Sequence, residues 1–407
     1  MKWEKVKLGD IATCIQPGPF GSQLHNSDYS KEGTPIIMPK DIVGGAIVHS
    51  GLLKVSEEHV KRLSRHQVYE GNLMVARKGD VRKCAYITAN ENGWMTGSDC
   101  LKVVLDESKC YPKFIYYQLR SEHIGRWLEK VSIGATMPSL NTGLLSGIEM
   151  VLPPIEIQKQ IAGILSVYDD LIENNQKQIK LLEEAGQRLY KEWFVDLHFP
   201  GHENTKIVDG VPEGWRVASI ADICDTVGGG TPSTKIQSYY EKGDILWVTP
   251  TDITRNFSLA LLDTEKKITP EGLKNSSAKM LPAETILMTS RASVGFFGMC
   301  KYEVCTNQGF ISCIPKRENL QMYLLFNLKS RVEEIRQKAG GSTYLEISKT
   351  VFRELKIILP KDEVLAEYQK NIHDIFDEIY CRTEMIKSLV DMRNRLLPKL
   401  MSGEVEV

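Results

Sequence analysis

The chain contains itself twice, and that duplication constrains its fold more than any motif does. Trp3, Leu8, Asp10 and Ile11 return as Trp215, Ile220, Asp222 and Ile223, each shifted by 212 positions. Pro39, Asp41 and Ile42 return as Pro250, Asp252 and Ile253 at 211. Gly134, Thr136, Leu152, Pro153, Asp170, Ile172, Leu182 and Leu189 return as Gly341, Thr343, Leu359, Pro360, Asp377, Ile379, Leu389 and Leu396 at 207. Solenoid repeats recur every 20 to 50 residues or so, so a period this long means a duplicated domain with its connector. A chain built this way meets two similar things, or one thing at two places.

Charge follows the same division. Residues 1–153 carry a net +3, residues 154–209 −4, residues 210–360 +3 and residues 361–407 −3, which the overall −1 conceals. Two mildly basic globular domains thus alternate with two acidic connectors, a segregation compatible with a polyanionic partner. The start, Met1-Lys2-Trp3-Glu4-Lys5, lacks the apolar core of a secretory signal. No run approaches the roughly 18 apolar residues that a membrane span needs. The nine cysteines suit reduced thiols better than a disulfide framework. A cytoplasmic protein is therefore expected.

Within each domain, short apolar runs separated by Gly, Pro and Asn/Asp read as strands. They are Pro35 to Ile42, Leu73 to Ala76, Cys84 to Thr88 and Leu101 to Leu105 in the first domain, and Ile245 to Val248, Ile286 to Met288, Phe296 to Cys300 and Gly309 to Ile314 in the second. One helix follows in each, opened by Pro112 with an apolar face of Phe114, Tyr117, Ile124, Leu128 and Val131, or spanning Leu320 to Lys338. Gly134-Ala135-Thr136 and Gly341-Ser342-Thr343 form matching loops, for which domain closure is the favoured role. After Pro153 and Pro360, where a missing N–H ends a strand and suits a helix start, both connectors turn helical. Ile161, Tyr168, Asn175, Leu182 and Leu189 recur every seven residues, flanked by Ile164, Leu165, Leu171, Ile172 and Ile179. Ile372, Ile379 and Ile386 do likewise, with Leu396 continuing the stripe. Such heptads predict coiled-coil packing of the two connectors, antiparallel rods on the order of 50 Å long. The expected fold is α+β: two similar mixed α/β domains separated by a coiled-coil-like spacer of two long antiparallel helices, with pseudo-twofold symmetry.

A variable domain, then Leu152-Pro153-Pro154 with Gln158 nearby, then a heptad helix ending Leu189-Tyr190-Lys191-Glu192-Trp193-Phe194-Val195-Asp196, resembles the specificity subunit of type I restriction-modification enzymes. Arg395-Leu396-Leu397-Pro398-Lys399-Leu400-Met401-Ser402-Gly403-Glu404 is similar to that family's C-terminal segment. The resemblance covers the whole chain. It departs from the family's Pro-Pro-x-x-Glu-Gln in having Ile157 before Gln158, and Lys361 and Leu365 at the second copy's corresponding positions. A helix-start role is therefore all that this motif is assigned. The resemblance implies that each domain is a target-recognition domain reading one half of a split, asymmetric site in double-stranded DNA. It also implies that the helices space the domains and dock two adenine methyltransferase subunits, and that restriction nuclease-translocase subunits join them. S-adenosylmethionine and ATP would then sit on those partners, with no cofactor, metal or catalysis in this chain.

The residues agree with a noncatalytic reading. No Asn-Pro-Pro-aromatic or Asp-Pro-Pro-aromatic tetrad, dinucleotide fingerprint or phosphate-binding loop is present, and Gly228-Gly229-Gly230 lacks the lysine and hydroxyl that would make it one. Cys300, Cys305 and Cys313, and His198 with His202, lack the spacing of a tetrahedral metal site. What remains is DNA contact, in which cations neutralise phosphates and forked groups read bases. Candidates in the first domain are Arg77, Lys78, Arg82 and Lys83, clustered at a hairpin turn. In the second they are Thr289, Ser290 and Arg291 after the equivalent strand, Asn307 and Gln308 between strands, and Lys235, Thr251 and Arg255 in loops. The competing reading is a noncatalytic coiled-coil adaptor whose duplicated domains bind proteins.

Overall fold

The computed structural model describes residues 3–132, 134, 138–341 and 344–407. Ala135, Thr136, Ser342 and Thr343 of the two Gly-Thr loops lie outside them. The chain divides into two compact units, residues 1–170 with 390–407, and residues 171–389. Each unit therefore owns one mixed domain and a stretch of each of two long helices, Ile155–Phe194 and Asp362–Ser402.

In the first unit an antiparallel sheet has the order Ala12–Pro17, Cys100–Leu105, Leu73–Ala76, Cys84–Tyr86. In the second unit the order Cys224–Val227, Phe310–Pro315, Ile286–Thr289, Phe297–Gly298 is the same. Each unit adds a two-stranded ribbon, Glu4–Lys7 with Glu149–Leu152 or Arg216–Ser219 with Lys356–Leu359. Each also has a parallel pair, Thr34–Ile37 with Met95–Thr96 or Ile245–Val248 with Cys305–Thr306. The repeated aspartates explain their own recurrence. Asp10 and Asp222 accept from the backbone N–H of Lys7 and Ser219 (3.0 and 2.7 Å), and Asp41 and Asp252 from Met38 and Thr249 (both 2.8 Å). All four satisfy an orphan donor at the head of a single helical turn.

Two expectations need correction. The run Pro35 to Ile42 is not one strand, because the capping by Asp41 turns Pro39–Asp41 into a 3₁₀ turn after the strand ends at Ile37. The single helix expected after each sheet is two. Ser121 accepts from Ile124 N–H and starts a new helix, Glu122–Val131, after Pro112–Leu119. The second unit breaks likewise at Arg331, between Gln321–Ser330 and Val332–Lys338.

In the second unit the two helical stretches run antiparallel: Asn175 pairs with Arg382 (3.2 Å), while Tyr190 and Trp193 meet Tyr368 at ring distances of 6.4 and 5.7 Å. Phe194 closes this group against Tyr323 and Tyr368, both at 4.8 Å, and Asn327 donates to the Tyr190 hydroxyl (2.7 Å). Each such aromatic pair adds about 0.5–1.5 kcal/mol beyond its buried area. In the first unit, Ile161, Ala162 and Leu165 share a core with Leu397 and Leu400, and Asp169 pairs with Arg393. The buried stripe is narrower than the heptads imply. Ile161, Ile179, Ile372, Ile379 and Ile386 are buried, and Tyr168, Leu182, Leu189 and Leu396 half-buried, but Ile164 and Leu171 are exposed.

The family motif at the helix start has a use that reaches beyond the helix. Gln158, wholly buried, accepts from Tyr111 N–H (2.8 Å) and donates to Pro153 C=O (2.8 Å), so it caps the first unit's helix that begins at Pro112. In the second copy Leu365 cannot do this. Gln369, one helical turn further on, accepts from Met322 N–H (2.9 Å) instead.

Candidate nucleic-acid interface

In each unit, strand polarity brings several loops to one end of the main sheet. In the first unit, pairing of Pro17 with Leu101 and of Ala76 with Cys100 places the loops after Pro17 and Ala76 beside the loop before Cys100. Short backbone bonds weld them together: Gly18 N–H to Cys100 C=O (3.1 Å), Arg77 N–H to Asp99 C=O (2.7 Å) and Leu140 N–H to Arg77 C=O (2.8 Å). A Cβ on Gly18 would lie 2.0 Å from the Gly97 carbonyl oxygen, so only glycine permits this approach. Gly79, at φ +80°, turns the hairpin and donates to Pro138 C=O (3.0 Å).

The four cations of this hairpin separate in role. The Arg77 guanidinium lies over the Phe20 ring, 5.5 Å from its centroid, with no carboxylate partner among the described residues. Lys78 pairs with Asp99 (3.0 Å). Arg82 is held by Glu122 and by Glu129 (3.5 Å), and the Glu122 carboxylate raises its pKa above the ordinary arginine value. Lys83 donates to Pro39 C=O (3.1 Å). Arg77 and half-exposed Lys78 therefore face the loop cluster, whereas Arg82 and Lys83 stitch the domain together.

In the second unit the corresponding loops follow Val227 and Thr289 and precede Phe310. Gly230 N–H bonds Thr306 C=O (2.9 Å), Ser290 N–H bonds Gly309 C=O (2.8 Å) and Ala292 N–H bonds Leu345 C=O (2.8 Å). Asn307 accepts from Gly309 N–H (2.8 Å), and Gln308 accepts from the Thr231 hydroxyl. Arg291 lies 3.6 Å from Glu346 and is half exposed. Two candidates are placed differently from expectation. Thr289 is fully buried, its hydroxyl closing the turn with Ser293 C=O and Phe296 N–H (3.0 Å), and Ser290 is buried beside it. Thr251 is half-buried in the turn Pro250–Thr254, and Arg255, exposed, stands 4.0 Å from Glu265. Lys235 is exposed in the glycine-rich loop.

Several residues at these surfaces carry no motif and were not anticipated. Phe20 and Tyr344 are exposed aromatics, and the Lys349 ammonium sits 3.0 Å from where a Gly228 side chain would begin. Only their position, Phe20 in a strand-end loop, Tyr344 between two helices and Lys349 at the start of the helix Lys349–Arg353, marks them once the scaffold is known. Cys300, Cys305 and Cys313 lie in three different core clusters. Among the described residues no group of three His, Cys, Asp or Glu side chains could hold a metal ion, and no helix is long and apolar enough to cross a membrane.

A duplicated sheet scaffold, differing at the loops of one end, defines a two-domain recognition protein. The family model described as the type I restriction modification DNA specificity domain matches residues 1–184 and 212–390, and the chain belongs to that family. It is 25% identical over 422 residues to the type I restriction enzyme MjaIX specificity subunit of Methanocaldococcus jannaschii, covering 100% of this chain and 94% of that one. It is 21% identical over 469 residues to the HindI specificity subunit of Haemophilus influenzae, covering 99% of both. The crystal structure of the type I restriction-modification S subunit from M. genitalium shares the fold, with a TM-score of 0.58 at 17% identity over 98% of this chain and 96% of that one. The protein is thus a type I specificity subunit, a noncatalytic component with two DNA-recognition domains.

Proposed function

We propose that the domain at residues 1–153 reads one half, and that at 210–360 the other half, of a split, asymmetric sequence in double-stranded DNA. The helical connectors, 154–209 and 361–407, form a coiled-coil spacer that sets the separation of the half-sites. They also dock two adenine methyltransferase subunits, through which nuclease-translocase subunits join. S-adenosylmethionine and ATP belong to those partners. One observation carries this reading: the same strand scaffold ends in different contact groups, Phe20, Arg77 and Lys78 in the first unit and Arg291, Asn307 and Gln308 in the second. Common architecture with unlike tips is what reading two unlike half-sites requires. Helical docking is supported by apolar side chains left exposed on the helices, Ile164 and Val167 in the first unit and Leu181 and Met385 in the second.

Sequencing of methylated bases in host DNA with and without the gene tests the proposal. The expected product is a motif of two dissimilar halves with centres about 10 base pairs, one helical turn, apart. A contiguous palindrome would refute it.

A further inference from the structure

Phe20 is an exposed aromatic on a restrained loop. Its side chain is 54% exposed at the tip of the Pro17-Gly18-Pro19-Phe20-Gly21 loop. Scattered exposed apolar residues are ordinary, but the backbone that carries this one is restrained at three points. Gly18 is locked against Gly97, two prolines restrict the backbone, and Arg62 donates to the Gln23 carbonyl (2.8 Å), anchoring the 3₁₀ turn that Phe20 caps. The Arg77 guanidinium backs the ring. An aromatic side chain on a backbone restrained in this way has little backbone freedom left to lose on binding.

Resting on the DNA-recognition reading above, we propose that Phe20 is a wedge that inserts at a base step of the half-site read by the first domain, with Arg77 behind it for the adjacent phosphate. Apolar wedges partly unstack a step and kink the duplex, and a neighbouring cation offsets the phosphates drawn together. The second unit has Gly228-Gly229-Gly230-Thr231 in the corresponding loop and no aromatic there. A wedge from this loop is therefore confined to the first domain's half-site.

The test uses the full chain assembled with its host's methyltransferase subunits and duplexes carrying the methylated sequence, with 2-aminopurine placed at each position in turn. Apart from the target adenines, which the methyltransferase subunits themselves extrude, the wild-type complex brightens one further position, in the first domain's half-site. Phe20→Ala abolishes that signal and weakens binding about tenfold or more, while Phe20→Leu, still an apolar wedge, retains part of both. The ring lies outside the core, so the melting temperature of Phe20→Ala stays that of wild type. Sequence-specific binding by wild type with unchanged fluorescence and affinity in Phe20→Ala would overturn the wedge alone. Loss of methyltransferase assembly in Phe20→Ala with the DNA signal intact would also overturn it, in favour of a protein contact. A wild-type complex indifferent to sequence would sink the wedge together with the reading on which it rests.

Discussion

Replacing Gln158 with alanine should uncouple the first recognition domain from its connector helix, and its cost can be worked from two hydrogen bonds. The side chain is 1% exposed and makes 2.8 Å bonds to Tyr111 N–H and Pro153 C=O. Truncation orphans one donor and one acceptor in a site that water does not reach. Each orphan costs about 1–3 kcal/mol, so the change should destabilise the first unit by about 2–6 kcal/mol. With a urea m-value of about 2 kcal/mol/M, the midpoint of that unit falls by about 1–3 M. The two units can be followed separately, because Trp3, Trp94 and Trp127 belong to the first and Trp193, Trp215 and Trp247 to the second. Hydrogen exchange at Tyr111 should accelerate with the loss of stability. Gln158→Leu keeps the bulk but not the bonds and should be nearly as damaging, whereas Gln369→Ala should shift the second unit instead. Full stability in Gln158→Leu, or an equal loss in both units, would refute the hydrogen-bond argument.

The other predictions are briefer. Arg82 is committed to Glu122 and Glu129 while Arg77 is not, so Arg77→Ala should lower the salt slope of DNA binding by about one phosphate's share, about 0.9; Arg82→Ala should leave the slope unchanged, and equal slopes for both variants would contradict the assignment. Burial with Arg65 and Lys102 nearby lowers the His66 pKa to about 4, from about 6.5 unfolded. The native state therefore binds fewer protons, so the contribution of His66 is fully present above pH 6.5 and is lost as pH falls towards 4; unfolding of the first unit followed against pH, with and without His66→Phe, checks the slope. Burial pushes the thiols of Cys84, Cys110, Cys300 and Cys305 up to about 12, whereas Cys381 is exposed. A thiol reagent on the native protein at pH 8 should label Cys381 first and half-buried Cys14 more slowly, and rapid labelling of the other seven cysteines would show that the described cores open readily.

The parts of the fold legible in sequence are those in which one physical demand leaves a repeated residue. Asp10 and Asp222 recur because a helical turn needs its first N–H groups satisfied, and Pro153 and Pro360 recur because a strand must stop where a helix begins. What sequence left hidden depends on partners distant along the chain. Periodicity assigned Ile164 and Leu171 to the stripe, but a heptad records only which side chains are apolar, not which of them find cover. Thr289 resembles a loop hydroxyl until the turn that it closes exists. Four clustered cations look equivalent until Glu122, 40 residues on, takes Arg82. Recognition residues are the least legible, since their task demands variety where the scaffold demands repetition.

The two glutamines show how such a scaffold tolerates drift. Gln158 and Gln369 stand 211 positions apart, while the prolines before their helices stand 207 apart, so the capping residue has moved by one helical turn between copies. A move of four residues returns a side chain to nearly the same helix face, which is why the same bond to a neighbouring helix survives it. A shift of one or two residues would have rotated the amide away from Tyr111 or Met322 and left their N–H groups buried without partners. The duplication therefore preserves a contact in space rather than a position in sequence. A search by fixed spacing alone meets Leu365 and sees a lost motif where the structure has kept the interaction.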